Sequence, residues 1–105
     1  MAEKRKPTYD LSVFKETFNE VAKLNVTTTA VISASEFGFN REDIVTTLQS
    51  MRREHFFKSM TSYRDFRLWQ DVYHVPSSVG CLYIKFTADM VTKFLLLSFK
   101  EKDNG

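Results

Sequence analysis

Apolar and polar residues change their spacing partway along the chain, and that change predicts its architecture. Leu11, Phe14, Phe18 and Val21 recur at three- and four-residue intervals, predicting an amphipathic helix over Asp10 to Leu24 with Asp10 able to cap its first turn. A second, shorter helix is expected from Thr28 to Phe37, with threonines at its start and Gly38 placed to end it. Asn40 opens a third, running to about Arg52. Its buried stripe is Ile44, Leu48 and Met51, and Glu42 and Asp43 suit the positive end of its dipole.

Beyond Arg53 the period shortens to two. Trp69 to Tyr73 reads as extended, Pro76, Ser77 and Ser78 as a turn, and Gly80 as the entry to the next segment. From Cys81 to Thr87 the residues alternate: Leu82, Ile84 and Phe86 point one way, Tyr83, Lys85 and Thr87 the other. Lys93 to Lys100 carries an apolar run, Phe94 to Leu97, that reads as a central strand covered on both faces. Helices first and strands afterwards predict an α+β domain, with the N-terminal helices on one face of a mostly antiparallel sheet. The other face is then open to a ligand. Residues 1–105 read as a single domain, with Met1 to Pro7 a frayed tail.

Composition narrows this picture only slightly. With 43% hydrophobic and 14% aromatic residues, including 10 phenylalanines, the chain can build one core. Its net charge of +2 is too small to name a polyanion as partner; what matters is whether the cations gather on one face. The one cysteine, Cys81, excludes an internal disulfide, fits a reducing cytoplasm and reads as a packing residue. No apolar run is long enough for a signal peptide or membrane span. No spacing of His, Cys or carboxylates suits a metal, and no phosphate loop, nucleophile elbow or dinucleotide fingerprint is present, so neither metal nor cofactor is expected.

Candidate chemistry lies on the polar sides of the strands. Tyr83 and Lys85 share one side, Gln70 and His74 share another, and Lys58 and Met60 would share a third if that stretch is extended. Lysines, a phenol and an amide meeting on one surface can handle a phosphodiester. An ordinary solvated face accounts for the same pattern. Of the two histidines, His55 reads as a surface residue at a helix exit and His74 as a substrate contact; their spacing does not bring them together.

The segment FFKSMTSYRDFRLWQDVY, Phe56 to Tyr73, with LYIKFT at Leu82 to Thr87 and LSFKEK at Leu97 to Lys102, resembles the MqsR family. The N-terminal EKRKP, the threonine pair ahead of the second helix and the Glu36 to Gly38 close fit as well. The resemblance implies a RelE-like fold. It also implies a toxin of a toxin–antitoxin pair: a ribosome-independent endoribonuclease that cuts messenger RNA near short GC-containing sites by attack of the 2′-hydroxyl. Its catalytic lysine, glutamine and tyrosine fall on Lys58, Gln70 and Tyr83, and Met60 matches a neighbouring site methionine. His74, Lys85 and Lys100 are weaker candidates for RNA contacts. The implied partner is an MqsA-like antitoxin with a zinc-binding region and a helix-turn-helix region, the zinc belonging to the antitoxin. The chain departs from the family's pattern between Thr87 and Leu95, where Asp89, Met90 and Thr92 stand and the family's histidine is absent. At His74 it departs again, from an arginine. The alternative is a non-catalytic RNA-binding or antitoxin-interacting module on the same fold.

Overall fold

The computed structural model describes residues 2–88 and 94–102. Among these, helices α1 (Leu11–Thr17), α2 (Thr28–Glu36) and α3 (Arg41–Ser50) pack on one face of an antiparallel sheet. Its strands are β1 (Glu3–Lys4), β2 (Phe56–Thr61), β3 (Trp69–Ser77), β4 (Gly80–Ala88) and β5 (Phe94–Glu101), lying side by side in chain order. This is the α+β arrangement expected, and it agrees with the RelE-like description.

The helices start where the sequence said and stop sooner. Asp10 caps α1 by accepting from the Ser12 and Val13 amides. Asn40 and Asp43 form a reciprocal capping box on α3. Helix α2 begins at Thr28 with a threonine cap, the Thr27 hydroxyl accepting from the Ala30 amide. After it, Gly38 takes φ 86°, a left-handed conformation that costs a glycine nothing. The first helix, expected to reach Leu24, ends at Thr17 and is followed by a 3-10 turn, Val21–Lys23. The Gln49 amide donates to the Lys15 and Phe18 carbonyls at 2.7 and 2.9 Å, so α3 satisfies the groups that a longer α1 would have bonded internally. Val21, expected on the buried stripe, is exposed.

Three strand expectations also change. The N-terminal tail is not frayed where it is described: Glu3 and Lys4 pair with Met60 and Ser59, and the Thr61 amide donates to the Ala2 carbonyl. This short strand covers an edge of β2 that would otherwise be unpaired. The run at Phe94 to Leu97 is not central, because β5 is the last strand of the sheet. Its apolar character has another cause. Phe94, Leu96 and Phe99 enter the core, while its outer edge is bonded by the Asn25 to Thr27 segment leading into α2. Lys93, its expected start, lies outside the described residues, as do Asp89, Met90 and Thr92. Pro76 and Ser77 belong to β3 rather than to the turn, at a place where β3 has outrun β2 and a missing N–H is tolerated. Gly80 closes that hairpin with φ 111°.

The core forms between the helices and the inward side of β3, β4 and β5. Phe14 stacks on Phe86 with ring centroids 3.7 Å apart, and Phe18 and Phe94 meet Phe14 edge-on. Burying rings of this size contributes roughly 1.5–3 kcal/mol each. Ala30 and Ala34 are fully buried, as small residues allow where α2 approaches β5.

A cation-lined open face of the sheet

Strand register and period-two alternation fix what the face opposite the helices carries. Met60 lies opposite Gln70, Lys58 opposite Val72, and Val72 opposite Lys85. His74 lies opposite Tyr83, and Tyr83 opposite Lys100. The intervening positions, Asp71, Tyr73 and Val75 on β3 and Leu82, Ile84 and Phe86 on β4, are buried on the helix side. Lys58, Met60, Gln70, His74, Tyr83, Lys85 and Lys100, contributed by four strands, therefore share one surface. Val72 is their floor, fully buried between the stems of Lys58 and Lys85.

A bulge between Phe56 and Lys58 adds a residue that alternation alone does not assign. It lets Phe56 turn inward, edge-on to Tyr73, while Phe57 joins Lys58 on the open side. Phe57 stacks on the His74 ring at 4.2 Å, and the His74 ring lies 6.1 Å from that of Tyr83. Cations frame this row of rings. The Arg5 guanidinium is 5.2 Å from the Phe57 centroid, Lys58 Nζ is 5.4 Å from it, and Lys100 Nζ is 5.2 Å from that of Tyr83.

Charge and burial set the protonation states. Lys58 Nζ donates to Glu3 Oε1 at 2.6 Å, and this hydrogen bond with the ammonium charge holds the Glu3 carboxyl below its usual range. Burial pushes the Tyr83 phenol up, only partly offset by the Lys58 charge, so the phenol keeps its proton at neutral pH. Burial, with Lys102 and Lys58 nearby, pushes His74 down and favours the neutral imidazole. Burial and the neighbouring Lys100 lower Lys85.

The face thus presents ammonium groups, a protonated phenol, a carboxamide and a neutral imidazole over an apolar floor. Such a set can neutralise phosphate oxygens, donate a proton and pack against a base. Among the described residues, no three His, Cys, Asp or Glu side chains gather closely enough to hold a metal ion.

Sequence reasoning missed Glu3, Arg5 and Phe57. The first two lay in the supposed tail, and Phe57 reaches this face only through the bulge; the sole signal for it was two adjacent phenylalanines at a strand start. Cys81 is a correction: it is exposed rather than packed, at the far end of β4. His55 stands apart, its Nδ1 accepting from the Arg52 amide at 3.0 Å.

This geometry defines a class: a small α+β protein with one sheet face closed by helices and the other suited to a polyanion. Comparison with known proteins makes the class specific. Residues 6–101 match the family model described as the motility quorum-sensing regulator, toxin of MqsA. The chain is also 35% identical over 100 residues to the mRNA interferase toxin MqsR of Escherichia coli K12, covering 95% of this chain and 99% of that protein. The chain belongs to the MqsR toxin family.

Proposed function

We propose that this chain is a toxin endoribonuclease that cuts messenger RNA without the ribosome and that its open sheet face carries the reaction. The observation that carries this reading is the meeting of Lys58, Gln70 and Tyr83 on one surface already rich in cations. In the reaction the ribose 2′-hydroxyl passes its proton to solvent water and its oxygen attacks the adjacent phosphorus. The bond to the 5′-oxygen then breaks, and that oxygen takes up a proton. Lys58 leaves Glu3 to neutralise charge on the five-coordinate phosphorus, and Gln70 holds the scissile phosphate in line. Tyr83, kept protonated by burial, is suited to give its proton to the departing 5′-oxygen rather than to act as the base. Lys85 and Lys100 hold flanking phosphates, and Met60 and His74 contact the RNA beside them.

The family's description as the toxin of MqsA gives the chain a cognate antitoxin. The finer reading is an MqsA-like partner with its own zinc-binding and helix-turn-helix regions. Among the described residues no helix is long and apolar enough to cross a membrane, and we place the protein in the cytoplasm with its RNA. The test uses purified protein on protein-free RNA, with both ends of every fragment mapped. Fragments ending in 2′,3′-cyclic phosphate, each followed by a 5′-hydroxyl, are expected. Intact RNA, or 3′-hydroxyl and 5′-phosphate ends, contradicts the mechanism.

A further inference from the structure

The hairpin joining β2 to β3 holds the most exposed aromatic rings of the protein. Tyr63 and Phe66 are 91% and 78% exposed, three residues apart in a seven-residue loop, 62–68. The loop's shape does not come from packing those rings. The Ser62 amide donates to the Leu68 carbonyl, and the Leu68 amide to the Asp65 carbonyl. Asp65 also accepts from the amide and the guanidinium of Arg67 at 2.9 and 3.2 Å. A loop closed by its own polar groups thus leaves two large rings in water. Each is followed by an arginine, Arg64 and Arg67. Asp65 engages Arg67, while Arg64 is exposed and forms no ion pair among the described residues.

The occupant follows from this composition and from the loop's place. Rings and guanidinium planes alternate here, a pattern that stacks unpaired bases and holds their phosphates. The loop also continues the open face. Met60 and Gln70 form the last open-side pair before the ladder closes at Thr61 and Trp69. Phe66 is four residues from Gln70 and Tyr63 three from Met60, within about 14 Å of extended chain. Bases held there belong to nucleotides near the scissile phosphate.

We propose that the 62–68 loop is a nucleobase-stacking subsite: Tyr63 and Phe66 stack on two successive bases beside the cut dinucleotide, and Arg64 holds the phosphate between them. This deepens the reading of the chain as a ribonuclease and rests on it. The subsite determines which unpaired sequences are presented to Lys58, Gln70 and Tyr83.

The test is the double substitution Tyr63→Ala with Phe66→Ala in the full chain. Its substrates are a single-stranded RNA of about a dozen nucleotides spanning a mapped cut site and the same RNA trimmed to the two nucleotides of the cut. For the long RNA, KM should rise about ten- to a hundredfold with kcat within about twofold, as expected for losing stacking on two bases. For the trimmed RNA neither constant should change, and Tyr63→Phe with Phe66→Tyr should restore the long-RNA KM. Equal KM values for double variant and wild type on the long RNA overturn the subsite. So does unchanged RNA cleavage with weakened antitoxin binding, which would make the loop a protein contact. Binding of an uncleavable 2′-O-methyl version of the long RNA is followed in parallel. If the wild type cuts nothing, the ribonuclease reading fails by itself, and the stacking claim still stands or falls on whether the double variant weakens that binding.

Discussion

Tyr73 and Tyr83 are the same residue type with opposite fates, decided by which side of the sheet each faces. Tyr83 opens onto the cation-lined surface, whereas Tyr73 is fully buried against Phe56 and Phe86, and its hydroxyl has no hydrogen-bond partner among the described residues. Burial, reinforced by the Asp71 charge, pushes the Tyr73 phenol up to about 12. The linked stability is fully present below the unfolded phenol's value near 10 and is lost as pH rises through the folded value. The loss amounts to roughly 2–3 kcal/mol. Urea unfolding at pH 8 and at pH 11, where about half of that loss has developed, checks this, with Tyr73→Phe expected to remove that part of the alkaline loss and leave stability at pH 8 unchanged or improved. Equal alkaline loss in the variant contradicts it. Gln70 and Asp71 show the same division between neighbours. Gln70 points outward, while buried Asp71 accepts from the Thr8 and Tyr9 amides and anchors the N-terminal segment. Alternation made Gln70 readable from sequence. The role of Asp71 was not, because its partners lie about sixty residues away.

At the scale of elements, local signals were readable and long-range ones were not. Caps at Asp10 and Asn40 and the alternation of Leu82 to Phe86 are written within a few residues, and each appears in the structure as expected; Thr87, just past a bulge, is buried beside Phe86. The early end of α1, the edge position of β5 and the existence of β1 depend on Gln49, on the Asn25 to Thr27 backbone and on the edge of β2. No window of neighbouring residues contains those partners. Strand β1 brings Glu3 to Lys58 and Arg5 to Phe57, so it belongs to the site as well as to the fold. Removing residues 2–6 should expose the outer edge of β2. Amide exchange at Ser59 and Thr61 should then quicken markedly, with a lower melting temperature. Hydrogen exchange read by NMR checks it; unchanged protection at those amides would mean that β1 does not hold the edge.

For the whole molecule, the modest net charge of +2 conceals an uneven distribution. Helices close one side of the sheet with apolar residues, and Lys58, Lys85, Lys100 and Arg5 gather on or beside the other. Composition could not show this, because only the strand register brings residues 58, 70, 83 and 100 together. The family resemblance named three of these residues from sequence, and the fold accounts for their proximity: alternate positions on neighbouring strands. We propose that this surface performs the cleavage. Single-turnover cleavage of protein-free RNA by Lys58→Ala, Gln70→Ala and Tyr83→Phe, each verified as folded by circular dichroism, tests it most directly. Rates at least about a hundredfold below wild type in all three are predicted, in line with the usual loss on removing a proton-transfer or charge-stabilising group. Wild-type rates in the three variants would place the chemistry elsewhere on the protein.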